Sequence, residues 1–135
     1  MGSHLENQLN GPTPTAIFFV AFFAFGTCMC LLTIVLLAMP GTPLDALWRV
    51  NPEAHAAFGA HRGWAIALMA VVGLVCASAT IGLARRARWG RRLAIAIIAI
   101  NLLGDVTGAI VRHDPRPLIG LPVAGAMIWL LGRLR

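Results

Sequence analysis

The chain has 135 residues, 59% of them hydrophobic and 12% charged, with mean hydropathy +0.79, whereas a soluble domain carries about 25% charged residues; an ordinary soluble fold is excluded and a membrane protein is expected. The length suits one domain of about four spans at ~20 residues each. The formal charge of +6 comes from arginine without lysine, and five arginines fall in Arg85-Arg86-Ala87-Arg88-Trp89-Gly90-Arg91-Arg92 between two apolar runs, the mark of a cytoplasmic loop; the partner this implies is the lipid bilayer, not nucleic acid.

Residues 1–14 read as a tag remnant, Met1-Gly2-Ser3-His4, and an exposed polar tail with Pro12 and Pro14, and residues 15–135 as a single transmembrane domain. No cleavable signal peptide is evident, so the first apolar run is expected to stay in the membrane. That run, 16–39, carries no charge and is long enough to span with some tilt. Its first half is rich in phenylalanine, and Gly26, Thr27, Cys30 and Thr33 form a small, weakly polar strip suited to close helix packing.

Pro40-Gly41 ends the span. Thr42 is placed to cap a short helix, with Pro43 in its first turn and Asp45 three residues after the cap, as in a capping box. Leu44, Leu47 and Trp48 share one face, and Asp45 and Arg49 lie opposite at i,i+4 spacing. A second start follows at Asn51-Pro52-Glu53 and runs through His55 and Phe58 toward Gly59. Two short amphipathic helices resting on the membrane surface are expected.

The second span is expected at 64–84, anchored by Trp64 and by Arg85 and Arg86, with Gly73, Ala77 and Thr80 as its small strip. After a turn over 85–92 the third span covers 93–111. Arg112-His113-Asp114-Pro115-Arg116-Pro117 is expected to be an extended polar turn, because proline disfavours helix at the residue before it. The fourth run, 118–132, spans about 22 Å as a helix, short for a crossing, with Trp129 and Arg133 as its anchors. The reading is an all-α, four-transmembrane-helix bundle with two amphipathic helices in the external loop between helices 1 and 2.

With the arginine-rich turn in the cytoplasm, both termini are cytoplasmic and residues 40–63 and 112–117 are external. Arg85, Arg86, Arg88, Arg91, Arg92, Arg133 and Arg135 then lie inside and Arg49, Arg62, Arg112 and Arg116 outside, the bias the positive-inside rule demands.

The sharpest functional clue is Asp105, a carboxylate in the third span, where a charge at mid-membrane costs about 2.5–3.5 kcal/mol on insertion scales. Asn101, Asp105, Gly108 and Arg112 follow i, i+4, i+7 and i+11 on one face. Asp105 lies about 10 Å below the external end of its helix. The same depth arithmetic brings Thr27 to Cys30, Gly73 and Gly125 to its level. Asp105 either hydrogen-bonds Asn101, Thr27 or Thr107 and pins the helices together, or it faces an outward pocket, with Arg112 above, and binds a cation or polar ligand. Gly104 and Gly108 form a Gly-x-x-x-Gly pair, assigned to packing within the bundle ahead of self-association.

External candidates are Asp45, Trp48, Arg49, His55, His61, His113 and Asp114. No pair of histidines has metal-ligand spacing, and no nucleophile elbow, phosphate loop, nucleotide fingerprint or haem motif occurs, so no metal, cofactor or catalytic residue is assigned. Cys28 and Cys30 lie about 200° apart on their helix and cannot form a redox pair; both are expected as buried packing residues, and Cys76 also falls within an apolar run.

The run from Pro40 to Pro52 together with Asn101-Leu102-Leu103-Gly104-Asp105 resembles small bacterial membrane proteins with four predicted spans and no established activity. The resemblance covers most of the chain, implies a bacterial inner-membrane setting and carries over no site residue. The favoured reading is a non-enzymatic membrane protein whose external pocket at Asp105 binds a small cation or polar solute, in the manner of a transporter or channel. Its rivals are an accessory or scaffold subunit, self-associating or bound to a partner membrane protein, and a small membrane enzyme using the external acids and histidines on a lipid-like substrate. The threading has a direct check. With Cys28, Cys30 and Cys76 replaced by alanine, a cysteine at Ala56 should react with an impermeant maleimide applied outside and one at Ala87 should not; the reverse pattern would invert the topology.

Overall fold

A computed structural model describes Gly11 and residues 13–134. The tag remnant and most of the expected tail, residues 1–10 and 12, lie outside the described residues. Five α-helices and two 3-10 helices account for nearly all of the rest, and no strand occurs among the described residues. In chain order they are α1 (Pro14–Ala38), a 3-10 helix (Pro43–Val50), α2 (Pro52–Ala60), α3 (Arg62–Ala84), α4 (Arg88–Arg112), a 3-10 helix (Arg116–Ile119) and α5 (Gly120–Arg133).

Three of these helices, α1, α3 and α4, are long and apolar enough to cross a membrane. The most apolar windows of these helices are only 22%, 28% and 17% buried within the protein, so most of their hydrophobic surface points outward. Phe25, Leu74, Ile100, Leu103 and Ile110 are among the outward-facing side chains, and apolar surface on that scale calls for a lipid environment rather than water. α5 has 14 residues, about 21 Å of helix.

The chain divides into two compact units, one of residues 22–78 and the other of the described residues before and after it. α1 and α3 each contribute to both.

In the 22–78 unit the strip expected from small residues is a real seam. A Cβ on Gly73 would stand 3.2 Å from the Cβ of Cys30, and one on Gly26 would stand 3.8 Å from Cys76 Sγ. Phe23, Cys30 and Leu37, seven residues apart, are buried along this side of α1. Thr27 and Thr33 spend their hydroxyls on the carbonyls four residues back, Phe23 O at 3.0 Å and Met29 O at 2.9 Å. Cys28, expected to be buried, is exposed, because the same 200° that separates it from Cys30 turns it outward. Arg62 joins the helix ends: its guanidinium donates to Ala38 O at 3.0 Å, supplying a partner and a positive charge to the C-terminus of α1.

In the other unit α1 starts two residues earlier than expected. Pro14 is its first residue, and the Thr13 hydroxyl accepts from Ala16 N–H at 3.3 Å, an N-cap with proline in the first turn. The turn between α3 and α4 is also much shorter than 85–92. α3 closes as a Schellman motif, with Ala87 N–H donating to Gly82 O at 2.9 Å and Arg86 N–H to Leu83 O at 3.0 Å. Arg86 supplies the left-handed residue, φ 54°. Arg88 to Arg92 therefore belong to α4, and only three residues connect the helices.

Glycine permits so sharp a hairpin. A Cβ on Gly82 would fall 2.5 Å from Gly90 Cα and 3.0 Å from the Trp89 ring, and one on Gly90 would fall 2.3 Å from the Gly82 carbonyl carbon. The backbones touch, and no other residue fits. Beyond this contact Ala94, Ile98 and Ala109 continue the buried face of α4.

α4 packs against α5 and against the 3-10 helix before it. Pro115 is helical at φ −76°, ψ −7°, and Arg116 to Ile119 form 3-10 turns rather than the extended segment expected. Proline is tolerated there because the first helical amides need no intrahelical partner.

Replacing Gly82 or Gly90 by alanine should lower the unfolding temperature in detergent, with a cost of about 1–3 kcal/mol or more. Gly104→Ala and Gly108→Ala, where a Cβ meets nothing within 4 Å, should be neutral or stabilise by up to about 1 kcal/mol. Equal behaviour of the two pairs would contradict the backbone contact.

Candidate functional site

Asp105 lies on the packed face of α4. At about 100° per residue, Gly90, Ala94, Ile98, Asn101, Asp105, Gly108, Ala109 and Arg112 all fall within an arc of about 100°. Gly90, Ala94, Ile98 and Ala109 in this arc are buried, yet Asn101 and Asp105 are exposed. Ile100, Leu103 and Ile110, which are 67–68% exposed, point to the other side of the helix. Asp105 is thus exposed on the same side of α4 as the buried residues, away from Ile100, Leu103 and Ile110.

The start of α5 lies beside this carboxylate. Asp105 Oδ2 stands 4.0 Å from where a Cβ on Gly120 would lie. The register that follows is antiparallel. It sets Leu131 level with Ala94, and both are 0% exposed, as a packed pair at that level requires. Arg133 comes level with Arg92 by the same count.

This register corrects the expected depth partner: Gly120, and not Gly125, stands at the level of Asp105. The expectation treated residues from Leu118 onward as α-helix descending 1.5 Å per residue. The descent in fact starts at Arg116, inside the segment expected to be a turn, and runs at about 2.0 Å per residue through the 3-10 helix, so α5 proper begins near Asp105. Above that level α4 continues for seven residues to Arg112, accompanied by the turn and the 3-10 helix.

A hollow of about 220 Å³ occupies this upper region, lined by Ala109, Ile110, His113, Asp114, Pro115 and Leu118. It brings together His113 and Asp114, two of the external candidates. His113 closes α4 in a left-handed conformation at φ 52°, and Asp114 accepts from Arg116 N–H at 3.0 Å through Oδ1, fixing the turn. Asp105 lies one helical turn below this lining.

No hydrogen bond or ion pair involves the Asp105 carboxylate among the described residues, so the expected bonds to Asn101, Thr27 or Thr107 are not made. Thr107 donates instead to Leu103 O at 2.8 Å. Arg112 is exposed at the end of α4. Thr27 belongs to the other unit, with its hydroxyl committed to its own helix.

The external candidates of the 22–78 unit sort themselves differently from their expected pairing. Asp45 does not reach Arg49; its carboxylate accepts from Gly41 N–H at 2.6 Å. Thr42 occupies the cap position without capping, its hydroxyl donating to Met39 O at 3.2 Å. The acidic half of the capping box is therefore shifted one residue upstream, because the segment is a 3-10 helix of tighter pitch. Asn51 caps α2 as expected, its Oδ1 accepting from Ala54 N–H at 3.1 Å.

Trp48 is the hub of this segment. Its ring stacks on His55 at 5.0 Å with a 16° interplanar angle and meets Phe58 edge-on at 6.4 Å, joining the 3-10 helix to α2. Arg49 and His61 are exposed. Among the described residues no three His, Cys, Asp or Glu side chains are grouped to hold a metal.

Two working residues were missed in the sequence. Gly120 was not among the expected neighbours of Asp105, and the proline pair just before it could have signalled an earlier helical start. Arg62 was counted only as an external charge, although its position one helix start away from the end of the first span pointed to a bond with that end.

No protein-family model matches the chain, and neither the curated proteins nor the solved structures contain a match.

Proposed function

We propose that the chain is a non-enzymatic, multi-pass protein of the bacterial inner membrane in which an outward-facing polar notch at Asp105 binds a small cation or polar solute. The observation that carries this reading is the exposed carboxylate in the middle of the packed stripe of α4, beside the first residue of α5. A carboxylate at that depth is tolerated where water or a cation reaches it, and a gap on the protein side of the helix is where either can enter.

In this reading α5 is the fourth crossing. Its 14 residues cover only the stretch from Arg92 to Asp105 of its neighbour, and the missing length on the outer side makes the notch. The cation–π contact of Arg133 over Trp129, 4.0 Å from the ring centroid, suits an anchor at the opposite interface. Both termini are cytoplasmic, and the helices around Trp48 rest with Leu44 and Leu47 toward lipid on the outer surface. Asn101 and Asp105 are the primary ligands, with Arg112, His113 and Asp114 at the entrance.

A second reading has one observation in its favour. Gly104 and Gly108 have open space where a Cβ would be, room for a helix from a partner membrane protein or a second copy to close over Asp105. The readings part in a thermal-shift screen of the purified protein against Na⁺, K⁺, Mg²⁺, Ca²⁺ and small polar metabolites. A solute bound at 100 times its Kd stabilises by about 2.7 kcal/mol, a rise of several degrees, and Asp105→Asn should abolish that rise while leaving a folded protein. A screen in which no cation or solute moves the wild-type transition contradicts the notch as a binding site.

A further inference from the structure

The upper part of α4 sets two opposite charges on one line. Asp105 and Arg112 are seven residues apart, which brings them within about 20° of each other around the helix and about 10 Å apart along it. Both are exposed, and neither forms an ion pair among the described residues. Gly108 lies between them, and a Cβ there would meet nothing within 4 Å.

The hollow of about 220 Å³ adjoins this line at the intermediate level, with Ala109, Ile110, Pro115 and Leu118 among its walls. Asp114, also in its lining, holds the backbone amide of Arg116 and so serves the turn. A helical side chain covers the turn before its own Cα, which for Arg112 is the turn of Gly108 and Ala109. The guanidinium therefore approaches Asp105 from above, with the hollow beside the space between them. A bare cation drawn to Asp105 would meet the field of Arg112, and a bare anion drawn to Arg112 would meet that of Asp105. All these residues belong to one compact unit.

We propose that the solute bound at Asp105 is a small aliphatic amino acid in its zwitterionic form, with its ammonium on the Asp105 carboxylate, its carboxylate on the Arg112 guanidinium and its side chain in the hollow. Each end of the ligand has its own partner: a guanidinium offers paired N–H donors to a carboxylate, and a carboxylate accepts from an ammonium. Two such contacts at about 3 Å each leave about 4 Å of the separation for the ligand, which suits an ammonium and a carboxylate carried on the same carbon. The alkyl walls of the hollow suit an alkyl side chain. The inference rests on the reading of Asp105 as a solute site and narrows its ligand to one class.

The test is isothermal titration calorimetry of the full chain in detergent at neutral pH. The probes are leucine, glycine, 3-methylbutylamine and 4-methylpentanoate, the last two being leucine without its carboxylate and without its ammonium. Leucine should bind about tenfold more tightly than either single-charge analogue. Glycine, which keeps both charges and has nothing to place in the hollow, should bind about tenfold more weakly than leucine. Arg112→Gln should weaken leucine about tenfold and leave 3-methylbutylamine within about twofold, which also shows that the variant is folded. Asp105→Asn should abolish binding of both, and Arg116→Gln in the adjoining 3-10 helix should change neither. Equal affinity for leucine and 3-methylbutylamine, leucine binding that survives Arg112→Gln, or no leucine binding at all would each overturn the zwitterion site. Sodium and potassium titrated in the same way separate this inference from the reading it rests on. A cation that binds the wild type and not Asp105→Asn, while leucine does not bind, leaves the notch standing and removes the zwitterion; silence of every probe, cations included, contradicts both.

Discussion

The backbone contact between Gly82 and Gly90 is the constraint from which the rest of the hairpin unit follows. Two helices that touch without intervening side chains can be joined by three residues, and the Schellman closure of α3 supplies those three with their hydrogen bonds satisfied. From that point α4 leaves with a fixed rotation about its own axis. Gly90, Ala94, Ile98 and Ala109 then form the inner stripe, and Asn101 and Asp105 are carried onto the same stripe by the 3.6-residue repeat. The placement of the carboxylate is decided about four turns away from it, at Gly90.

The two ends of that stripe behave differently. Near the arginines it is closed by glycine and alanine at van der Waals distance, and Leu131 seals it at the level of Ala94. Toward Arg112 it opens, because α5 begins only at Gly120 and the chain above it is a 3-10 helix and a proline turn. α5, at 14 residues, therefore begins beside Asp105 and accompanies α4 only toward the arginines. Asn101 and Asp105 lie exposed near that boundary, on the same side of α4 as its buried residues.

Much of this was legible in the sequence. The three long spans, the stop at Pro40-Gly41, the cap at Asn51 and the common face of Asn101 and Asp105 all follow from hydropathy, turn chemistry and helical repeat. The illegible parts share a physical reason: they depend on how closely two backbones approach. Nothing in Arg88-Trp89-Gly90 by itself reveals that Gly90 lies against Gly82, so the arginine run read as loop when most of it is the first turns of a helix. Likewise the rise of Arg116 to Ile119 decides whether Gly120 or Gly125 meets Asp105, and two prolines are compatible with both an extended and a 3-10 path. Cys28 was misplaced for a simpler reason: an apolar run that crosses a membrane has an outward face, and membership in the run does not make a residue buried.

The central claim is that Asp105 faces a water-filled gap between helices and not the lipid. Spin labels placed singly at Ile100, Leu103, Asp105 and Arg112 of the protein in lipid bilayers test it through their accessibility to a polar relaxant and to oxygen. The account predicts that position 105 is reached by the polar relaxant much as position 112 is, while 100 and 103 are reached by oxygen and shielded from the polar agent. An oxygen-dominated response at position 105, matching that of 103, would place the carboxylate in lipid and contradict the account.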